Sequence, residues 1–159
     1  MISETGENMD AQNLFAQFLK KNNLPPTDFD VFSFGTDADL LADLVLRGKK
    51  TATSSAYEVY LHENTPLPEV GQYSVVLNGN GDAVCVICST AVYVCAFERV
   101  APFHAAKEGE GDGSLSYWRT AHEDYFKKEL SSVGLSFTRQ TPVVCEEFAL
   151  VYPEKEDAE

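Results

Sequence analysis

Between residues 10 and 21 the apolar side chains Leu14, Phe15, Phe18 and Leu19 recur at the spacing of one helical face. This predicts an amphipathic helix, terminated by Leu24-Pro25-Pro26. Residues 30–34 alternate and predict a short strand. Leu40, Leu41, Leu44 and Val45 then form a second helical stripe, with Thr36 or Asp37 as its cap and Gly48 as its C′ residue. From residue 51 the period changes to two. Residues 51–57 and 73–77 predict strands, separated by a proline- and glycine-containing loop at 65–72. Asn78-Gly79-Asn80-Gly81 predicts a hairpin turn, and residues 83–97 return as one long or bent strand. A short helix is expected at 102–107, followed by a flexible acidic loop at 108–114. Ser114 caps a helix reaching Leu130, with Leu115, Trp118, His122, Tyr125 and Phe126 near one face and Gly134 after its end. Residues 142–152 form the last strand.

Short strands with helices inserted at the ends make an α+β domain rather than an alternating βαβ one. A small, antiparallel, partly closed β-barrel with flanking α-helices is the most economical way to cover that many short strands. The expected organisation is a disordered N-terminus over 1–9, one domain over 10–152 and an acidic tail over 153–159. At 159 residues, 44% of them hydrophobic, the chain is large enough for a core without disulfide or metal staples. No apolar run approaches the roughly 20 residues that span a membrane. The start of the chain lacks the basic-then-apolar pattern of a signal peptide, so a cytoplasmic location is expected.

The formal net charge of −13 repels phosphate backbones at long range, which argues against bulk DNA binding and against long RNA. Arg47, Lys49 and Lys50 nevertheless fall within four positions. They form either a local positive spot for a ligand or a basic helix terminus complementing the macrodipole. Cys85 and Cys88 have the spacing of a redox or zinc pair, but they lie within a valine-rich strand where positions three apart face opposite ways. Reduced cysteines with no metal are the expectation.

The stretch Leu46-Arg47-Gly48-Lys49-Lys50-Thr51-Ala52-Thr53-Ser54-Ser55-Ala56-Tyr57 joins charge to hydroxyls. A hydroxyl becomes a good nucleophile only when a base takes its proton, and a desolvated lysine is one such base. On a regular strand Lys50 and Thr53 face opposite ways, so they meet only if the chain is irregular just after Gly48. Glu108, Glu110 and Asp112 lie in a run too short for an EF-hand calcium loop. Trp118 either packs in the core or stacks a base at a cleft rim, and Arg119 and His122 lie beside it on the helix.

Gly48-Lys49-Lys50-Thr51-Ala52-Thr53 after an amphipathic helix resembles the opening signature of the ASCH domain family, whose fold is PUA-like. Glu108 to Asp112, then Ser114 to Arg119 and His122, then Pro142 to Glu146, are similar to its larger, YhfF-type branch. The resemblance covers residues 30 to 152. It implies a β-barrel with a cleft for RNA or nucleoside-like ligands. Some small members hydrolyse the acetyl amide of acetylcytidine with a lysine, a threonine three residues later and a distant glutamate. These correspond to Lys50, Thr53 and Glu110, which gives a metal-independent amidohydrolase with a lysine-activated threonine and no cofactor. Arg47, Lys49, Thr51, Ser55, Tyr57, Trp118, Arg119 and His122 are the substrate-binding candidates. Ser55 stands where the amidohydrolase branch keeps an arginine. Another family member is a ribonuclease, so an RNA-binding or RNA-cleaving module and a non-catalytic nucleoside-binding domain are the competing readings. The expected partners are a small nucleoside-like ligand or short RNA, with a homodimer as the assembly considered.

Overall fold

The computed structural model describes residues 9–154. The expected disordered start and acidic tail fall at 1–8 and 155–159, outside the described residues, apart from Met9, Pro153 and Glu154. The elements, in chain order, are α1 (Ala11–Lys21), β1 (Asp30–Ser33), α2 (Ala38–Leu46), β2 (Ala52–Ala56), α3 (Tyr57–Glu63), β3 (Tyr73–Leu77), β4 (Ala83–Ala96), α4 (Pro102–Glu108), α5 (Leu115–Ser132) and β5 (Pro142–Tyr152). The strand order is β1-β3-β4-β5-β2. The class is α+β with flanking helices, as the patterning predicts, but the sheet is mixed rather than wholly antiparallel, because β1 runs parallel to β3. Two compact units share the chain, and β4 and β5 contribute residues to each.

The first unit holds the described residues up to Lys49, Gly71–Ser89 and those from Phe148 onward. Here β1 runs parallel to β3 and β3 runs antiparallel to β4. Asp10 caps α1 by accepting from the Asn13 amide at 2.7 Å, and Asp37 caps α2 by accepting from the Leu40 amide at 3.2 Å. Gly48, with φ of 76°, follows the α2 terminus as expected. Leu14, Phe15 and Phe18 of α1 pack with Val75 and Val86, while Leu41, Ala42 and Val45 of α2 pack with Val76, Cys85 and Ile87. Neighbouring strand residues therefore serve opposite faces, both covered, which explains why β4 reads as a continuous apolar run. Each large side chain buried this way contributes about 1.5–3 kcal/mol. All four cysteines are free. Burial pushes the Cys85 thiol up to about 12, which leaves it an inert core residue at neutral pH.

The second unit comprises Lys50–Val70 and Thr90–Glu147. Here β2 pairs antiparallel with β5, from Ala52 opposite Glu147 to Ala56 opposite Val143. Ala56, Phe97, Ala105, Trp118, Phe126, Leu130 and Val143 form its core. The strand expected at 51–57 is shorter, because Tyr57 opens the helix α3. That helix buries none of its side chains fully, and Val59 packs only partly buried against the core, so it has no apolar stripe for a sequence reading to find. The fourth helix extends one residue further than expected, to Glu108, and the fifth two further, to Ser132. Among the described residues no helix is long and apolar enough to cross a membrane.

Candidate functional site

Thr51 leaves β2 regular only from Ala52 onward. Its amide donates to the Lys107 carbonyl at 2.7 Å, tying the start of the strand to the last turn of α4. That tie directs the preceding side chain inward, and Lys50 is only 1% exposed. Its Nζ donates to the Ala52 carbonyl at 2.9 Å, to Glu108 Oε1 at 3.1 Å and to Glu110 Oε2 at 2.7 Å. Two of the three residues expected to act together, Lys50 and Glu110, are thus in direct contact.

Glu108, read from sequence as part of a flexible loop, is instead the buried centre of the cluster. Besides Lys50, its carboxylate accepts from the Ser54 hydroxyl and from Trp118 Nε1–H at 2.8 Å. His104 Nε2 and His122 Nε2 lie 3.4 and 3.5 Å from Oε2. Serine has a single hydrogen and the carboxylate takes it, so the 2.8 Å contact between Ser54 Oγ and His104 Nε2 is a donation from the ring. His104 Nδ1, buried without a hydrogen-bond partner among the described residues, is then the unprotonated nitrogen. The His122 ring stacks on the Trp118 indole at 4.3 Å, and its Nδ1 donates to the Trp118 carbonyl at 3.0 Å.

Burial alone would raise the Glu108 carboxyl. The hydrogen bonds from His104 and His122 and the charge of Lys50 outweigh it and hold the group well below the usual carboxylate range. A carboxyl depressed on folding stabilises the native state above its unfolded value of about 4.3, and that contribution is lost as pH falls below it. Urea midpoints are expected to drop steeply below about pH 4. The acid limb of Glu108→Gln should be shallower, from a lower starting stability.

The loop after α4 places Glu110. Gly109 ends the helix with φ of 70°. At Gly111, φ is 59°, and an added Cβ would lie 2.5 Å from the Tyr117 ring. Left-handed glycines on both sides thus turn Glu110 back toward Lys50, so the acidic loop has a defined path. Gly111→Ala should cost about 1–3 kcal/mol through strain and collision, measured as a lowered urea midpoint.

Strand alternation puts Ser54 on the α4 side of β2 and Thr53 and Ser55 on the other. Thr53 is half-buried, and its hydroxyl has no hydrogen-bond partner among the described residues. Ser55 Oγ meets Tyr60 Oη at 2.9 Å, and Thr51 Oγ1 donates to the Lys107 carbonyl at 3.3 Å. Tyr57 is the first residue of α3. Trp118 is a core residue at 2% exposure, with its polar edge in the cluster. Arg119 Nη2 donates to the Glu98 carbonyl at 2.9 Å. In the first unit Arg47 pairs with Asp43 at 2.8 Å, one turn earlier on the same helix, and Lys49 is exposed. Sequence reasoning missed Ser54, His104 and Glu108 as members of the cluster. The one available signal is the four-residue spacing of His104 and Glu108 on a short helix.

Fold and site together define an α+β domain of the PUA-like class, a setting consistent with binding nucleic acid or nucleosides. The ASCH domain profile matches residues 30–152, and the chain belongs to that family. The solved ASCH domain of Lactobacillus crispatus is 34% identical, with a TM-score of 0.83 over 92% of this chain and 98% of that one. A protein of Enterococcus faecalis is 33% identical, with a TM-score of 0.80 over 88% of this chain and 86% of that one. A hypothetical protein only 12% identical, with a TM-score of 0.53 over 79% of this chain and 100% of that one, shares the fold alone. No curated protein matches the chain.

Proposed function

We propose that this domain, as a member of the larger YhfF-type branch, hydrolyses an acyl amide on a modified nucleoside, with acetylcytidine as the type substrate. One observation carries the reading: the buried Lys50 ammonium lies 2.7 Å from Glu110, the only partly exposed carboxylate of the cluster, at 22%. A charged donor beside a partly accessible carboxylate suits a reaction in which a proton must leave a hydroxyl and reach an amine. The hydroxyl is assigned to Thr53 on the family signature, because Ser54 is already tied to Glu108 and His104, although Thr53 lies on the face of β2 turned away from them.

Thr53 Oγ1 adds to the acyl carbon, and its proton reaches the Lys50–Glu110 pair through water rather than by direct contact, because Thr53 faces the other side of β2. The carbon–nitrogen bond then breaks, and the same proton goes to the departing amine. Water cleaves the resulting ester, releasing the carboxylic acid and restoring the threonine. A neutral nucleoside also avoids the repulsion that a chain of net charge −13 exerts on a polyanion.

The test is incubation of purified protein with acetylcytidine without added metal, following acetate and cytidine together by chromatography. Equimolar release of both is the expected result. Absence of deacylation on every acyl-nucleoside tried, with RNA retention that falls steeply with salt and depends on Arg47 and Lys49, would overturn the reading in favour of an RNA module.

A further inference from the structure

The hydrogen-bond inventory of Lys50 divides the labour within its pair with Glu110, an assignment that rests on the deacylation reading above. An ammonium has three hydrogens and no acceptor. Lys50 has acceptors for all of them in Ala52, Glu108 and Glu110. The two carboxylates differ sharply in setting. Glu108 has a side chain 2% exposed, while that of Glu110 is 22% exposed.

Glu108 is surrounded by groups that favour its charged form. Lys50 comes from the approach to β2, Ser54 from β2 itself, His104 from α4, and Trp118 and His122 from α5. Protonating Glu108 would set a hydrogen against these donors, and each buried donor left unsatisfied costs about 1–3 kcal/mol. Deprotonating Lys50 would remove the cation in contact with a buried anion, at a cost of several kcal/mol. Neither member of the Lys50–Glu108 pair can therefore give up its charge cheaply. Glu110 is less constrained: Lys50, at 2.7 Å, is its one side-chain donor among the described residues, and water reaches its carboxylate.

We infer that Glu108 is a positioning residue that pins Lys50 as an oriented ammonium, leaving Glu110 as the group that exchanges protons with the substrate. Lys50 then acts by field and direction, stabilising negative charge on the acyl oxygen or on Glu110, rather than as the base that its place in the signature suggests. The depressed carboxyl of Glu108 agrees with this division.

Protein labelled with nitrogen-15 at lysine tests the charge state without any substrate. Lys50 is the one buried lysine among the described residues, so its Nζ should appear at neutral pH as an ammonium whose hydrogens exchange slowly with water. In Glu108→Gln that signal should shift and exchange at least tenfold faster, while thermal unfolding stays cooperative. A neutral amine nitrogen at pH 7, or a Lys50 signal indifferent to Glu108→Gln, overturns the assignment.

Kinetics test the division of roles. Lys50→Arg keeps the charge and should lose about 100-fold through misplacement, far less than Lys50→Met. Glu110→Gln should lose kcat with little change in KM, and Glu110→Asp should recover part of it. Lys50→Arg as inactive as Lys50→Met, with Glu110→Gln still active, would show the lysine to be the base and overturn the inference. A wild-type protein that deacylates nothing, yet shows the Glu108-dependent ammonium, supports the positioning role and removes only the reaction.

Discussion

Lys50→Met should lower stability by about 3–5 kcal/mol, the cost of removing one partner from a buried ion pair. In a chain of this size that corresponds to a fall in melting temperature of roughly 6–20 °C. The methionine fits the volume of the lysine stem, so packing changes little. The charge is what disappears: Glu108 loses its contact at 3.1 Å and Glu110 its contact at 2.7 Å. Two carboxylates that shared one cation are left near each other, one of them out of reach of water. Lys49→Met, one residue earlier on an exposed side chain, should change stability by no more than about 0.5 kcal/mol. Thermal melts of the two variants at neutral pH make the comparison. Equal small effects in both would mean that the cluster contributes nothing to the fold.

Thr53→Val should reduce kcat for acetylcytidine by on the order of 10³-fold or more. Valine is nearly isosteric with threonine and favours strands, so β2 and its pairing with β5 should persist. The neighbouring change, Ser54→Ala, tests the opposite property. It removes a hydroxyl that donates to Glu108, and should cost about 1–3 kcal/mol of stability while most of the activity remains. Steady-state kinetics and urea unfolding on the same preparations separate the two. If Ser54→Ala abolishes turnover and Thr53→Val leaves it intact, the attacking hydroxyl belongs to the α4 side of the strand.

The elements that a sequence reading finds are those with a covered face. The stripes of α1 and α2 were legible because Leu14, Phe15, Phe18, Leu41 and Val45 are buried. β4 was legible because both of its faces pack. α3 was not, since none of its side chains is fully buried. The direction of β1 against β3 was also hidden, because alternation along a strand carries no information about its neighbour's direction. At the site, Lys50 and Glu110 came from family resemblance and not from periodicity. Glu108 escaped because it ends a helix of only seven residues, and local patterns do not show that a residue will meet a serine more than fifty positions away. His104 was hidden for the same reason.

The chain contains a single tryptophan, and its indole donates to Glu108 while stacking on His122. This makes the cluster optically self-labelled. All indole emission originates beside the Lys50–Glu108–Glu110 network, unmixed with signal from any other part of the fold. Loss of the Glu108 hydrogen bond or arrival of a ligand near Glu110 can therefore be followed in real time by intrinsic fluorescence, with no dye attached.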